Sequence, residues 1–211
     1  MNELYTIGHS NHPLDRFIEL LKMHEITAVG DVRSSPYSRF NPQYNRESLH
    51  KVLKENSIAY VFLGQELGPR SEDPSCYVDG KVQYGLLAGT EAFTRGIERL
   101  KAGMEKYRIA LMCAEKDPIT CHRMILVCRA IRSEGFPIGH ILENGAVEAL
   151  REAELRLLRS LKMPQLGLFD TVENLIQRAY DTLGHKIAYV RGEETPEEQD
   201  PELKEEEQEQ E

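Results

Sequence analysis

Several features that would indicate a membrane or secreted protein are scarce or missing in this chain. No apolar run reaches the roughly 20 residues that a membrane-spanning helix needs, and the start of the chain carries no basic-then-apolar signal peptide. The four cysteines do not form the paired pattern of a secreted disulfide framework. We therefore expect a cytoplasmic protein with reduced thiols and no membrane contact.

An excess of basic residues is also missing. The formal net charge is -9, and residues 191–211, with 11 acidic and 2 basic side chains, account for all of it. The remaining residues are neutral overall, so they lack the global positive field that is typical of nucleic-acid-binding proteins. We expect residues 191–211 to form a disordered acidic tail.

Short apolar runs alternate with amphipathic runs over most of the chain. Strands are predicted at residues 4–7, 26–32, 58–63, 109–112 and 136–142, with helices between them. This alternation is typical of an α/β fold, and we expect a mainly parallel sheet of about five strands with flanking helices.

The same pattern predicts a division of the chain into three parts. Residues 1–145 would form the α/β domain, residues 146–190 a helical appendage outside it, and residues 191–211 the tail. In the appendage, one amphipathic helix is predicted over residues 147–161. A second helix would begin at a capping box of Asp170 and Glu173 and end at Gly184.

The densest group of reactive side chains follows the predicted strand that ends at Met112. Asp117 and Pro118 occupy the positions of a helix N-cap and first helical residue. The stretch contains two thiols and four charged or imidazole side chains: Cys113, Glu115, Lys116, Cys121, His122 and Arg123. A thiolate here would be stabilised by a helix N-terminus and by neighbouring cations. Cys113 is thus a candidate nucleophile, although a small buried residue at a strand end remains the alternative.

Polar side chains also follow three other predicted strands. They are His9 and Ser10, Asp31 and Arg33, and Gln65 and Glu66. Because ligands of parallel α/β sheets bind at the carboxyl ends of the strands, we expect these residues to converge on one site.

The residue types divide this predicted site into two roles. Thiols, carboxylates and imidazoles suit nucleophilic and acid–base catalysis, and imidazole titrates near neutrality; the candidates are Cys113, Glu115, Cys121, His122, Asp31, Glu66 and His9. Cations and small polar side chains suit an anionic substrate; the candidates are Arg33, Lys116, Arg123, Ser10 and Gln65. The alternative for the cations is ion pairing with Asp31, Glu66 and Glu115.

No metal or other cofactor is predicted. Cys76, Cys113, Cys121 and His122 are zinc-ligand types, but their spacing contains no CxxC or CxxH pair. Residues 69–89 form a long irregular stretch, and a loop of that length is usually functional or mobile.

Four motifs taken together resemble a known family. The segments 5–11, 31–38, 63–68 and 113–123 are similar to the bacterial and archaeal domain-of-unknown-function family 488, and the similarity spans about residues 3–160. The resemblance implies a single cytosolic α/β domain and supports the choice of site, but it implies no particular reaction.

A separate peptide, Gln165-Leu166-Gly167-Leu168-Phe169, resembles the short segment by which bacterial repair and replication proteins dock on the sliding clamp. Gln165, Leu166, Leu168 and Phe169 would be the contact residues. The alternative is an apolar turn that packs two helices together.

The leading functional hypothesis is an enzyme, a hydrolase or transferase, that acts on an anionic substrate resembling a nucleotide or nucleic acid. It would use thiol or carboxylate chemistry at the strand ends. One alternative is a non-catalytic module that binds a small anion in the same place. Another is an adaptor, with a possible role in DNA repair, that docks on the sliding clamp through residues 165–169.

Overall fold

The computed structural model describes residues 3–163 and 171–192. The clamp-like peptide at residues 165–169 and Asp170 lie outside the described residues, and so do residues 193–211 of the predicted tail. The predictions made for these segments, including sliding-clamp docking, therefore stay predictions.

The described residues contain eight strands and eight α-helices. The strands are β1 (Leu4–Gly8), β2 (Ala28–Asp31), β3 (Ala59–Phe62), β4 (Tyr77–Val78), β5 (Lys81–Val82), β6 (Ile109–Cys113), β7 (Ile138–Ile141) and β8 (Val147–Ala149). The helices are α1 (Leu14–Met23), α2 (Arg46–Glu55), α3 (Gly64–Leu67), α4 (Tyr84–Ala88), α5 (Glu91–Met104), α6 (Arg129–Ile131), α7 (Leu150–Ser160) and α8 (Val172–Ile187). Among these helices, none is both long and apolar enough to cross a membrane.

Six strands form one sheet in the order β3-β2-β6-β1-β7-β8. The first five are parallel, and β8 pairs with β7 in the antiparallel direction. The predicted α/β fold with a mainly parallel sheet is therefore confirmed, with one strand more than expected. Because β1, β2 and β6 are adjacent and parallel, the segments that follow them emerge at the same edge.

The sheet is covered on both faces, as parallel sheets require. Along β6, Leu111 and Cys113 belong to one buried apolar cluster, and Ala110 and Met112 belong to the other. Successive side chains of a strand point to opposite faces, so Cys113 shares the face of Leu111. That face packs against residues of α7 and α8.

The C-terminal elements differ in detail from the prediction. Val147–Ala149 form strand β8, so α7 begins only at Leu150. Thr171 caps α8 by accepting a hydrogen bond from the Asn174 amide, and the helix continues past Gly184 to Ile187. Since sheet pairing and a shared apolar cluster both cross residue 145, the helices are packed against the sheet rather than set apart from it; the division into units stays a prediction.

The segment after β6 is not the single helix that the sequence predicted. Asp117 does cap a helical turn, since its carboxylate accepts a hydrogen bond from the Ile119 amide, but that 3-10 turn covers only Pro118–Thr120. Cys121 is then extended, and a π-helix over Arg123–Cys128 leads into α6. Departures of this kind from α-helical geometry are frequent at functional sites.

Two helical glycines give a test of the packing. A Cβ on Gly96 of α5 would lie 2.6 Å from the Glu66 side chain and 2.7 Å from Leu67, whereas a Cβ on Gly85 of α4 would meet nothing within 4 Å. We expect Gly96→Ala to lower the free energy of unfolding by about 1–3 kcal/mol through overpacking. Gly85→Ala is the matched control and should raise it by up to about 1 kcal/mol. Urea denaturation measures both, and equal shifts would contradict the packing of α3 on α5.

Candidate functional site

Four of the predicted site residues form one compact cluster at the carboxyl edge of the sheet. Both thiols donate a hydrogen bond to the same Glu115 oxygen, Oε2, with Cys113 Sγ and Cys121 Sγ each 2.9 Å away. His122 Nδ1 lies 3.5 Å from Cys113 Sγ and 3.8 Å from Cys121 Sγ. One potential ligand atom from each of the four residues lies within 4.8 Å of the others. The cluster can therefore serve acid–base chemistry or hold a metal ion.

Local backbone geometry assembles this cluster. Cys113 ends β6, and the chain then turns back so that Cys121 and His122 face it across Glu115. The turn passes so close to β1 that a Cβ on Gly8 would lie 2.0 Å from the Glu115 carbonyl oxygen. Glycine at position 8 is thus what lets the loop with Glu115 lie against β1.

The contact that His122 Nε2 makes fixes the orientation of the ring. Nε2 lies 3.0 Å from the backbone carbonyl oxygen of Val32. Because a carbonyl only accepts hydrogen bonds, Nε2 carries a proton. Burial alone would lower the pKa of His122, but the neighbouring Cys121 and Glu115 raise it. In the neutral form of the ring, the electron pair of Nδ1 faces the two sulfur atoms. His122 can therefore act as a base or as a metal ligand through Nδ1.

The electrostatics of the cluster separate the carboxylate from the thiols. Burial alone would raise the pKa of Glu115, but His122 and the hydrogen bonds from both thiols lower it to about 2. Burial raises the pKa of the Cys113 thiol and also that of Cys121. Cys121 lies at the start of the helical run that begins at Arg123, and the Arg123 amide donates a hydrogen bond to its Sγ at 3.4 Å, but burial outweighs this contact. The activation of a thiol by a helix N-terminus stays a prediction. At neutral pH the carboxylate is ionised and the thiols are protonated.

A cavity of about 450 Å³ opens onto this cluster. Three of its lining residues come from the stretch after β6: Glu115, Thr120 and His122. The others come from segments distant in the sequence: Pro69, Arg70, Tyr84, and residues 187–190. The two thiols are almost completely buried and do not line the cavity, so a molecule in it would meet Glu115 and His122 first.

Asp31 and Arg33 form a buried ion pair beside the cluster. The Asp31 carboxylate accepts two hydrogen bonds from the Arg33 guanidinium, at 2.9 and 2.7 Å, and one from the Tyr60 hydroxyl at 2.9 Å. The guanidinium also donates to the Tyr44 carbonyl oxygen at 2.9 Å. Neither Asp31 nor Arg33 lines the cavity. The geometry corresponds to the alternative in which Arg33 pairs with Asp31. The catalytic role of Asp31 and the substrate-binding role of Arg33 stay predictions.

His9 lies against the same ion pair. Its ring stacks on Tyr44, with centroids 4.2 Å apart, and its Nε2 lies 3.3 Å from the Arg33 guanidinium. Burial and the Arg33 charge lower the pKa of His9 to about 4. The acid–base prediction for His9 assumed titration near neutrality, and this expectation is not met.

The other two predicted cations also have partners. Arg123 is completely buried and donates to the backbone carbonyl oxygens of Glu115 and Lys116, at 2.5 and 3.1 Å. Lys116 is half-exposed and forms an ion pair with Glu143. Arg123 therefore holds the backbone of Glu115 and Lys116 from the protein interior, and Lys116 is paired with a carboxylate at the surface.

The remaining predicted residues lie outside the cluster. Glu66 forms an ion pair with Arg99 of α5, and Gln65 is exposed in α3. Ser10 adopts a left-handed backbone conformation with φ of 48° and its hydroxyl contacts Asn11. None of these three lines the cavity. The carboxyl ends of the strands do meet at one edge, but the side chains that follow β1 and β3 diverge from the cluster.

Sequence reasoning missed most of the cavity wall. Arg70 places its guanidinium 4.5 Å from the centre of the Tyr189 ring, and both residues line the cavity with Tyr84. The length of the irregular stretch 69–89 was the available signal for Arg70 and Tyr84. No comparable signal marked residues 187–190, which were assigned to a helical appendage.

The Asp31–Arg33 pair allows a test of its structural role. Asp31→Asn would leave the buried Arg33 charge unpaired, so we expect the free energy of unfolding to fall by about 3–5 kcal/mol. The control is Glu91→Gln, which breaks an exposed Arg95–Glu91 pair on α5 and should have an effect below about 1 kcal/mol. Urea denaturation of both variants measures the difference, and a small loss for Asp31→Asn would show that the pair is not needed for folding.

The comparisons with known proteins agree with the motif resemblance. The family model described as "Domain of unknown function DUF488" matches residues 13–130, which is more than half of the 211-residue chain. The matched segment contains all four residues of the Cys113–Glu115–Cys121–His122 cluster. The searches of curated proteins and of solved structures returned no match. The chain therefore belongs to the DUF488 family, whose description assigns no function.

Proposed function

We propose that this protein is an enzyme, a hydrolase or transferase, that acts on a small anionic substrate in the cavity above the Cys113–Glu115–Cys121–His122 cluster. One observation carries the proposal: Glu115 and His122 belong to the cluster of reactive groups and also line the cavity. A purely structural cluster has no need to open onto a cavity. A cavity that exposes a carboxylate and an imidazole brings a bound molecule within reach of both.

The size and lining of the cavity favour a small molecule. About 450 Å³ falls within the range of about 300–1,000 Å³ that is typical of small-molecule sites. Arg70 supplies a positive charge to the cavity lining, and Tyr84 and Tyr189 supply aromatic groups. A guanidinium binds phosphate or carboxylate groups with two parallel hydrogen bonds. A nucleotide is a substrate that this combination of charge, aromatic groups and volume could accept.

The groups that would meet the substrate are the carboxylate and the imidazole rather than a thiol. Glu115 and His122 line the cavity, and the ionised Glu115 carboxylate could accept a hydrogen bond from a nucleophilic water, whereas His122 Nδ1 faces the two sulfur atoms. The thiols are buried behind them. This arrangement favours the carboxylate form of the predicted chemistry over nucleophilic attack by Cys113.

Substrate binding can be tested with inorganic phosphate and nucleoside monophosphates as probes in isothermal titration calorimetry. We expect at least one probe to bind the full chain, and Arg70→Gln to raise its Kd about 10- to 100-fold, because a hydrogen bond to a charged group contributes about 1.5–3 kcal/mol. The control is Arg95→Gln on the exposed face of α5, which should leave Kd unchanged. Equal Kd values for wild type and Arg70→Gln would argue against an anion site on this wall.

Turnover is tested with a panel of phosphate and carboxylate esters. Glu115→Gln keeps the size of the side chain and removes its charge, so we expect turnover to fall about 100-fold or more, with a much smaller change in probe Kd. Arg95→Gln should again resemble wild type. A protein that binds a probe but turns over no ester would support the non-catalytic binding module instead, and a protein that does neither would contradict the proposal.

A further inference from the structure

We propose that Cys113, Glu115, Cys121 and His122 together bind one divalent zinc ion. Two sulfur atoms, one nitrogen and one carboxylate oxygen are the ligand types that zinc prefers in proteins. All four cysteines of the chain are free thiols, so neither sulfur of the cluster is committed to a disulfide. Thiolate and imidazole ligands also select zinc over the hard cations magnesium and calcium.

The distances between the His122 nitrogen and the two sulfur atoms are close to those of a tetrahedral zinc site. Zinc–sulfur bonds of about 2.3 Å and zinc–nitrogen bonds of about 2.0 Å, arranged tetrahedrally, put sulfur and nitrogen about 3.5 Å apart. His122 Nδ1 lies 3.5 and 3.8 Å from the two sulfur atoms. Glu115 Oε2 lies 2.9 Å from both, the distance of a thiol hydrogen bond. An ion would take the place of the two thiol protons, and the carboxylate would move outward by about 0.5 Å.

The groups around the cluster are those that usually support metal ligands. A histidine that binds a metal donates its other ring N–H to a carboxylate or a backbone carbonyl, and His122 Nε2 donates to Val32. The Arg123 backbone amide donates to Cys121 Sγ at 3.4 Å, which stabilises a thiolate at that position. The Arg123 side chain holds the carbonyl oxygens of Glu115 and Lys116 and so fixes the loop that carries the Glu115 ligand.

The charge of the cluster is the same with and without the ion. Without an ion the thiols are protonated and the Glu115 carboxylate carries -1 near Arg123, so Arg123 can balance both states. Arg123 is completely buried, and in the described part of the chain its hydrogen-bond partners are carbonyl oxygens, the Thr6 hydroxyl and no carboxylate. A buried charge normally has a charged partner nearby. Zinc binding releases two thiol protons, and the ion with two thiolates and one carboxylate carries a net charge of -1. The Arg123 charge would neutralise it.

The sequence spacing hides this site because the ligands are not paired in a CxxC or CxxH motif. Cys113 and Glu115 come from the end of β6, whereas Cys121 and His122 follow the 3-10 turn at residues 118–120. The turn of the chain between them creates the site. Of the other two cysteines, Cys128 ends the π-helix and Cys76 ends the Asp73-capped 3-10 turn, and neither belongs to the cluster.

The catalytic meaning of the ion rests on the proposed function, but its binding does not. If zinc occupies the cluster, protein atoms take all four tetrahedral positions, so a nucleophilic water could bind the ion only where the Glu115 carboxylate gives up its place. Metal content is measured without any substrate, so the two proposals fail separately. A zinc protein without turnover contradicts the function alone, and turnover by a protein that cannot bind zinc contradicts this inference alone.

The test uses the full chain, stripped with a chelator under reducing conditions and reloaded with Zn²⁺ or Co²⁺. Elemental analysis after removal of unbound metal should give one zinc per chain. The cobalt form should show a sulfur-to-cobalt charge-transfer band in the ultraviolet and intense visible bands of tetrahedral coordination. The cobalt spectrum reports sulfur ligation in the unmodified protein, so it does not depend on whether any variant folds.

Four cysteine variants locate the ion. Cys113→Ser and Cys121→Ser should each lose stoichiometric zinc and the charge-transfer band, whereas the matched controls Cys76→Ala and Cys128→Ala should keep both. Circular dichroism of each variant establishes that it is folded. Wild-type protein that retains no zinc, cobalt bound without the charge-transfer band, or full zinc content in both folded serine variants would each overturn the inference.

Discussion

The arrangement of the site depends on one buried cation. The Arg123 guanidinium binds the carbonyl oxygens of Glu115 and Lys116 from inside the protein, and it holds the loop after β6 against β1, where Gly8 leaves room for it. With the loop held there, Glu115 meets both thiols. A completely buried arginine is costly unless its charge is balanced, so the negative charge of the cluster and the position of Arg123 stabilise each other.

The part of the site that is local in sequence was predictable, and the part that depends on side-chain direction was not. The 113–123 stretch brings Cys113, Glu115, Cys121 and His122 together because a strand end and a helical turn are joined by few residues. The parallel sheet and its edge also followed from the alternation of strands and helices. Periodicity could not show that Arg33 folds back on Asp31, or that Glu66 turns to Arg99. An ion pair satisfies a buried charge as well as a ligand does.

The predicted activation of a thiol by a helix depended on the length of the helix that begins at Asp117 and Pro118. The sequence indicates where that helix begins but not where it ends. Asp117 and Pro118 do begin a helical turn, but the turn ends after three residues and Cys121 is extended. The helical run that follows begins at Arg123, whose amide donates to Cys121 Sγ, but burial raises the pKa of both thiols. Caps predict where a helix begins, but how far it continues depends on tertiary packing.

The cluster of reactive groups and the other cavity walls come from different parts of the chain. The reactive groups come from one short stretch of chain, so their chemistry changes little unless that stretch changes. The other cavity walls come from Pro69, Arg70, Tyr84 and residues 187–190. These segments are far apart in the sequence and lie outside the loop that holds the reactive groups. Substitutions in these walls can alter which molecule binds while the cluster remains intact. Under the proposed function, the cluster would set the type of reaction and the walls would select the substrate.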